Sequence, residues 1–176
     1  MAEDEQSWEL VVARLVAERG DALVRYAHFV SGGTMDASDL VQDALVKTFG
    51  RLRNGYSVAS AEAYVRRAIL TTAVDAGRRA GRWRRIAHLQ AAAETADAPD
   101  AASDARLDVI EQLRRLTPRE RAVVVLRFYE DLKIDDIAAE LGISPGAVKR
   151  YLSDALGRLG DALGDLAGRK GGRHGR

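Results

Sequence analysis

Apolar side chains recur every three or four residues along most of this 176-residue chain. That spacing places them on one face of an α-helix, so each such segment is amphipathic. No segment shows the strict alternation of apolar and polar residues that is typical of a half-buried β-strand. The sequence therefore predicts an all-α fold.

One segment, 87–106, breaks the helical pattern and divides the chain. It is rich in alanine and acidic residues, it contains Pro99, and it has almost no large apolar side chain. Such a segment buries too little apolar surface to offset the entropy lost when a chain becomes ordered. We therefore expect a flexible acidic linker between two small helical domains, 1–86 and 107–167. The glycine-rich, basic end, 168–176, predicts a disordered tail.

The first domain is expected to contain four helices, because four apolar stripes are separated by breaks or loops. Asp36 stands where it can cap the third helix, and the fourth runs from about Ser60. The stripes consist of Trp8, Val11, Val12, Leu15 and Val16; of Leu23, Val24, Ala27 and Val30; of Val41, Ala44, Leu45, Thr48 and Leu52; and of Val65, Ile69, Thr72 and Ala76.

The second domain contains a complete signal for the start of a helix. Thr117 can cap it, Pro118 suits its first position, and Glu120 can reach back to the amide of the cap. The apolar side chains of that helix are Val123, Val124, Leu126 and Phe128. A short helix marked by Leu107, Ile110 and Leu113 comes before it.

The strongest local signal is a helix-turn-helix at 134–159. Gly142 can adopt the left-handed conformation that ends the first helix, and Ser144 can cap the second, which begins at Pro145. The expected inward positions are Ile137, Ala138, Leu141, Ile143, Val148, Leu152, Ala155 and Leu156. The expected outward positions are Ala147, Lys149, Arg150, Ser153 and Asp154. Such an outward face reads base edges in a major groove. The alternative is an ordinary helical hairpin with a solvated Lys-Arg pair.

A second signal is a cluster of basic residues around Trp83. Seven arginines and two acidic residues lie between 61 and 86, the arginines being Arg66, Arg67, Arg78, Arg79, Arg82, Arg84 and Arg85. Guanidinium groups at helical spacing pair with phosphates, and an indole stacks on a base, so the segment indicates a nucleic-acid contact. The alternative is a solvated helix end with a half-buried tryptophan.

A third signal is the small acidic face formed by Asp39, Gln42 and Asp43. These residues lie opposite the apolar stripe of the helix that follows Asp36. Periodicity alone does not distinguish a docking surface from an ordinary solvated one.

Several other functions lack the residues that they require. The sequence has no cysteine, its three histidines are isolated, and it has no nucleophile elbow, paired carboxylates or phosphate-binding glycine loop. We therefore expect neither an enzyme nor a metal or other cofactor. No apolar run approaches the ~20 residues of a membrane span, and the acidic N-terminus is unlike a signal peptide. These features predict a soluble, cytoplasmic protein.

Together, these segments resemble the sigma-70 family of bacterial RNA polymerase sigma factors. Residues 36–49 are similar to region 2.2, residues 63–79 to regions 2.3 and 2.4, and residues 116–129 and 137–152 to region 4. Two such domains on an acidic linker, without further regions, resemble the extracytoplasmic function group. The resemblance implies that the chain directs core RNA polymerase to promoters, recognises the −35 element and promotes melting at the −10 element.

The resemblance also implies a role for each matching residue. Asp39, Gln42 and Asp43 would dock on the clamp helices of the largest polymerase subunit, and the flap of the second largest subunit would be a further contact. The loop 54–59 would capture a flipped base of the −10 element, with Tyr56 and Ser57 as candidates. The −10 strand and its upstream duplex would be held by Arg66, Arg67, Arg78, Arg79 and Arg82. The −35 element would be read by Ser144, Lys149, Arg150 and Ser153. An anti-sigma factor would be an additional partner.

A classical helix-turn-helix regulator is the main alternative. It would use 107–160 alone to bind a palindrome and would act without replacing a sigma factor. The acidic face and the run of arginines have no explanation in that case.

Overall fold

The structure is a computed structural model that describes residues 8–50, 57–87 and 104–171, with side chains at 8–50, 57–86 and 109–160. Within these ranges there are seven α-helices and no strand, so the all-α prediction is confirmed. The helices are α1 (Trp8–Ser31), α2 (Ala37–Phe49), α3 (Val58–Ala87), α4 (Asp104–Arg114), α5 (Pro118–Phe128), α6 (Ile134–Leu141) and α7 (Pro145–Gly171). Helices α1–α3 form one compact unit and α4–α7 form another.

The first unit is a three-helix arrangement in which each helix packs against the other two. Each helix contributes one buried stripe, as expected for amphipathic helices that share a core. The buried apolar side chains are Val11, Leu15, Leu23, Tyr26, Ala27 and Val30 of α1, Leu40, Val41 and Ala44 of α2, and Ala61, Val65, Ile69, Leu70, Ala73 and Val74 of α3.

The prediction of four helices in this unit is wrong, because α1 continues without a break through Gly20. A glycine inside a helix costs only about 1 kcal/mol relative to alanine. Burial of Leu15 and Leu23 on either side stabilises the continuous helix by about 1.5–3 kcal/mol for each side chain, which outweighs that cost. Trp8 and Val16, expected in the first stripe, are exposed instead.

Side-chain caps fix the starts of α2 and α3. Asp36 accepts a hydrogen bond from the Asp39 backbone N–H at 2.9 Å, as predicted. Ser57 Oγ accepts one from the Ser60 N–H at 3.2 Å, so α3 begins at Val58, slightly earlier than the predicted start. The loop between the two helices, 51–56, lies outside the described residues.

The second unit is held by contacts of α5 with α7, α6 with α7, and α5 with α6. The predicted capping box is confirmed: the Thr117 N–H donates to Glu120 Oε2 at 2.9 Å, and the Glu120 N–H donates to Thr117 Oγ1 at 3.4 Å. The buried Arg121 donates to the carbonyl oxygens of Leu113 and Leu116, at 2.8 and 3.1 Å. The Leu113 carbonyl also accepts from the Leu116 N–H, so Arg121 joins α5 to the end of α4 and to the turn that follows it.

The helix-turn-helix has the local geometry that the sequence predicted. Gly142 ends α6 in the left-handed region, at φ 61° and ψ 41°. Ser144 Oγ then accepts a hydrogen bond from the Ala147 N–H at 3.2 Å, and α7 begins at Pro145. Val148 and Ala155 are completely buried, and they hold α7 in the core of the unit.

Two side chains expected in the core of the second unit are exposed. Leu156 is 51% exposed because it directly follows the buried Ala155, and neighbouring positions on a helix diverge by about 100°. Phe128 is 64% exposed because it is the last residue of α5, beyond the buried run that ends at Leu126.

Two predicted irregular segments are shorter than expected. The linker prediction included residues 104–106, which form the first turn of α4. A carboxylate such as Asp104 favours that position because it interacts with the positive end of the helix dipole. The tail prediction began at 168, but the α7 backbone is helical to Gly171. An established helix gains one hydrogen bond with each added residue, so glycine-rich composition does not stop it at once.

Two exposed glycines of the second unit should respond to alanine in opposite ways. Gly142→Ala places a Cβ in the left-handed region and should lower the free energy of unfolding by about 1–2 kcal/mol. Gly157→Ala, the matched control within α7, has open space and helical geometry, and should raise it by about 0.5–1 kcal/mol. Urea denaturation followed by circular dichroism measures both. Equal effects would contradict the assigned turn geometry.

Candidate nucleic-acid interface

Four of the five arginines predicted to hold the −10 strand lie exposed along α3. They are Arg67, Arg78, Arg79 and Arg82. Among the described residues, no acidic side chain forms an ion pair with any of them. Arg79 Nε donates only to the backbone oxygen of Asp75, at 3.4 Å. These guanidinium groups therefore remain available for an anionic ligand.

Arg66, the fifth, has different surroundings. Its Nε lies 3.0 Å from Glu62 Oε1, and its guanidinium carbon lies 5.0 Å from the centroid of the Tyr26 ring. The other carboxylate oxygen of Glu62 accepts a hydrogen bond from Arg19 Nε at 3.0 Å. Arg66 and Glu62 thus take part in a network that joins α1 to α3.

The charge of Glu62 is stabilised by this network. Burial alone would raise the pKa of the Glu62 carboxyl, but hydrogen bonds from Arg19 and Arg66, and the charges of both arginines, have the larger combined effect. The pKa of Glu62 therefore lies below its usual range. The carboxylate is ionised at neutral pH and bridges the two helices.

A cleft of about 550 Å³ opens between the end of α2 and the middle of α3. Its lining combines an aromatic ring, hydroxyls and charges of both signs: Lys47, Thr48, Tyr64, Arg67, Ala68, Thr71, Thr72, Asp75 and Arg79. Lys47 Nζ lies 3.2 Å from Thr72 Oγ1 across the two helices, and Tyr64 is 49% exposed. A cleft of this size and polarity can hold a small planar ligand.

Most of the residues that line the cleft were not predicted as site residues from the sequence. Only Arg67 and Arg79 were among the predicted site residues. A signal existed on α3, where Tyr64, Ala68, Thr71 and Asp75 follow one another at helical spacing. The contribution of Lys47 depends on how α2 crosses α3, and no local pattern carries that information.

The loop prediction is only partly within the described residues. Tyr56 lies outside them. Ser57 is exposed, and its hydroxyl caps α3 and lies 3.0 Å from Ser60 Oγ.

The acidic face of α2 is exposed in the first unit. Asp39, Gln42 and Asp43 are exposed, as is Val46 one turn further along the same side. These side chains are therefore accessible to a partner, and their exposure alone does not distinguish a docking surface from a solvated one.

The outward face of the helix-turn-helix has the predicted composition. Lys149, Arg150 and Ser153 are exposed on α7, and Arg150 lies over the ring of Tyr151, 5.4 Å from its centroid. Ser144 is exposed at the start of α7, where its hydroxyl serves as the cap. Among the described residues, Lys149 and Arg150 have no acidic partner.

Two negative findings concern only the parts of the chain that the structure describes. There, no three His, Cys, Asp or Glu side chains are grouped so that they could hold a metal ion. Nor is any helix in those parts both long and apolar enough to cross a membrane.

Both halves of the chain match families of known proteins. Residues 15–84 match Sigma-70 region 2, and residues 106–159 match Sigma-70, region 4. The RNA polymerase sigma-E factor of Streptomyces avermitilis is 36% identical over 155 residues, which cover 84% of this chain and 82% of that protein. The ECF RNA polymerase sigma factor SigE of Mycolicibacterium smegmatis is 31% identical over 163 residues, covering 89% of this chain and 62% of that protein.

A solved structure shares the fold. It is the co-crystal structure of the sigma factor RpoE in complex with the anti-sigma factor NepR from Bartonella quintana. The TM-score is 0.61 at 23% identity, and the match covers 86% of this chain and 96% of that one.

The chain therefore belongs to the sigma-70 family of RNA polymerase sigma factors, whose members are transcription initiation factors and not enzymes. Within that family, it belongs to the extracytoplasmic function group.

The Glu62 network should make stability depend on pH. Glu62→Gln should lower the free energy of unfolding by about 1 kcal/mol at pH 7, because it removes the charge that both arginines contact. A carboxyl whose folded-state pKa is lowered stabilises the fold above its unfolded-state pKa. That contribution disappears as pH falls through the folded-state pKa. The difference between wild type and variant should therefore shrink from pH 7 to about pH 3.

The matched control is Glu18→Gln, which affects an exposed pair with Arg14 on α1. Its effect at pH 7 should remain below about 0.5 kcal/mol. Thermal or urea unfolding at both pH values measures these differences. A Glu62→Gln difference that is the same at both pH values would contradict the role of the ionised carboxylate.

Proposed function

We propose that this sigma factor directs core RNA polymerase to promoters through two separate DNA contacts. The helix-turn-helix of α6 and α7 reads the −35 element, and α3 holds the melted −10 element. The observation that carries the proposal is that each unit exposes basic side chains without an acidic partner among the described residues: Arg67, Arg78, Arg79 and Arg82 on α3, and Lys149 and Arg150 on α7. Surfaces of this kind bind phosphates by releasing counterions.

The −35 contact uses the N-terminal half of α7. In a major groove, Lys149, Arg150 and Ser153 face base edges and neighbouring phosphates. Ser144 stands at the start of the helix, where backbone amides and the positive end of the dipole favour a phosphate. Phosphate contacts fix the position of α7, and base contacts supply the specificity.

The −10 contact uses the exposed side of α3. Arg67, Arg78, Arg79 and Arg82 track the phosphates of one strand along the helix. Arg66 acts indirectly, because its contacts with Glu62 and Tyr26 keep α3 in place against α1.

The cleft between α2 and α3 holds one flipped base of the −10 element. Tyr64 offers a stacking surface at its rim, while Thr71, Asp75 and Lys47 offer hydrogen-bond donors and acceptors to the edge of a base. The loop residues Tyr56 and Ser57 remain candidates for the other side of that base.

Protein partners follow from the remaining surfaces. The acidic face of Asp39, Gln42 and Asp43, with the apolar Val46 beside it, docks on the clamp helices of the largest polymerase subunit. The second unit contacts the flap of the second largest subunit. An anti-sigma factor is a further partner, since the similar sigma factor of known structure is in complex with one.

A classical helix-turn-helix regulator, which acts without replacing a sigma factor, is a weaker proposal. It uses the helix-turn-helix alone and gives no role to the cleft, the α3 arginines or the acidic face. A run-off transcription assay with core polymerase separates the two proposals: a sigma factor produces specific transcripts from core enzyme, whereas a regulator produces none.

Charge reversal on α2 should weaken binding to core polymerase. The double variant Asp39→Lys, Asp43→Lys should lower affinity at least about tenfold, or about 1.4 kcal/mol, because like charges would face each other. Both positions lie outside the core, so the fold should persist. Fluorescence anisotropy with labelled sigma factor measures the affinity.

The matched control is Glu18→Lys, Asp21→Lys, which makes the same change of charge at two exposed positions of α1. It should bind core polymerase like wild type. If the α2 variant binds as tightly as this control, the acidic face is not the docking surface.

Removal of the aromatic ring from the cleft should impair promoter melting. Tyr64→Ala should lower affinity for a single-stranded −10 element by about 5- to 150-fold, the range for loss of one base–aromatic stack. Tyr64→Phe keeps the ring and should retain most of the binding. Permanganate reactivity of −10 thymines reports melting. Normal reactivity in the Tyr64→Ala complex would reject the cleft as the base pocket.

A further inference from the structure

Two neighbouring side chains of α7, Arg150 and Tyr151, form a stacked pair. The guanidinium carbon of Arg150 lies 5.4 Å from the centroid of the Tyr151 ring. A guanidinium group within about 6 Å of an aromatic centroid is attracted to the face of the ring. Arg150 was predicted to read the −35 element, whereas Tyr151 has no role in that prediction.

The two members of the pair differ in how freely they move. Tyr151 is half-buried, and it lies on the same side of α7 as the buried Val148 and Ala155. Partial burial restricts the rotamers of its ring, which has only two side-chain torsions. Arg150 is exposed, and a long exposed side chain samples many rotamers unless a neighbour holds it. The ring is therefore the fixed member of the pair, and the guanidinium group is the member that is held.

Stacking leaves the hydrogen-bond donors of Arg150 free for a ligand. The ring contacts the face of the guanidinium group, whereas its five N–H donors point outward in the plane of that group. Among the described residues, no carboxylate pairs with these donors. An arginine held in this way presents a rigid row of donors to whatever meets the outward face of α7.

The ligand that matches a fixed row of donors is the edge of a guanine. Its O6 and N7 are two acceptors side by side in the major groove, and an arginine binds both at once. That contact requires the guanidinium plane to align with the base pair, whereas a phosphate oxygen accepts from many directions. Arg150 lies within the first two turns of α7, the part of a recognition helix that meets base edges.

We propose that Tyr151 is a positioning residue, which holds Arg150 so that its guanidinium group reads one guanine of the −35 element. The proposal rests on the proposed function of α7. The arginine must be ordered only where it forms the two bonds to guanine, so a ring that orders it in advance lowers the cost of that complex alone. Tyr151 thereby increases the preference for guanine without touching DNA.

The test uses holoenzyme assembled from core polymerase and the full chain. The probes are a promoter duplex that gives a specific transcript in the run-off assay, and copies in which each −35 base pair is replaced in turn. Fluorescence anisotropy measures the affinities. Wild type should prefer guanine at one position by about 5- to 150-fold, and Arg150→Ala should lose the preference at that position.

Removal of the ring should weaken the same preference. Tyr151→Leu should lower it by about 2- to 5-fold, the range for one exposed cation–π contact, and leave the preferences at other −35 positions unchanged. Tyr151→Phe keeps the ring and should retain the preference. Because a preference is a ratio of affinities for one variant, incomplete folding does not change it. If Tyr151→Leu weakens all probes equally, the ring only supports the fold and the proposal is rejected.

The matched control is Tyr129→Leu, the same change at another tyrosine of the second unit, where it follows α5. It should leave every −35 preference unchanged. Circular dichroism checks that each variant is folded.

A modified base distinguishes a base contact from a phosphate contact. 7-Deazaguanine at the preferred position keeps Watson–Crick pairing but lacks the N7 acceptor. Wild type and Tyr151→Phe should bind this probe about 5-fold or more weakly, because a hydrogen bond to a charged donor is lost. Arg150→Ala should bind both probes equally. A uniform loss of Arg150→Ala on all probes, with a salt slope lower by about one, would place Arg150 on a phosphate and overturn the proposal.

These outcomes separate the role of Tyr151 from the proposed function. If wild type directs specific transcription while Tyr151→Leu keeps the full guanine preference, only the positioning role is rejected. If wild type gives no specific transcript with core polymerase, the proposed function fails and the role of Tyr151 fails with it.

Discussion

The contact between α1 and α3 determines which side chains of α3 remain for a ligand. Glu62 accepts hydrogen bonds from Arg19 and Arg66, and the apolar stripes of both helices are buried beside it. Arg66 and Arg67 are adjacent in sequence, but neighbouring positions on a helix diverge by about 100°. One arginine therefore binds a carboxylate of its own chain, and the other is exposed beside the cleft. Removal of that internal pairing would leave the direction of α3 less firmly fixed.

In the proposed function, the length of α3 allows one small unit to contact an extended strand. Its 30 residues correspond to about 45 Å, far longer than the part that packs on α1 and α2. The packed part supplies rigidity and one wall of the cleft, and the protruding part carries Arg78, Arg79, Arg82 and Trp83. Because a helix is stiff, contacts on the protruding part are positioned by the same core that shapes the cleft. Binding then requires little reordering of side chains that are already in place.

Features that depend on interactions between residues close in sequence could be predicted from the sequence. The capping box at Thr117, the left-handed Gly142 and the cap at Ser144 depend on interactions within a few residues, and all three were found. The continuity of α1 through Gly20 depends on burial against other helices. The glycine therefore predicted a break between two helices that the structure does not have. The exposure of Phe128 and the approach of Lys47 to Thr72 depend on how helices cross. The domains were therefore recognisable in the sequence, whereas the cleft was not.

Under the proposed function, the exposed faces of α3 and α7 contribute different kinds of binding energy to DNA, and this difference bears on promoter choice. Arginines along α3 gain affinity from phosphates and release of counterions, which is almost independent of base sequence. In that proposal, selectivity comes from the groups that meet bases, which are the cleft in the first unit and the outward side chains of α7 in the second. A chain that joins two such units raises the effective concentration of the second contact once the first has formed. Each contact can then be weak enough to release from wrong sequences, while both together hold the polymerase at a site that carries both elements.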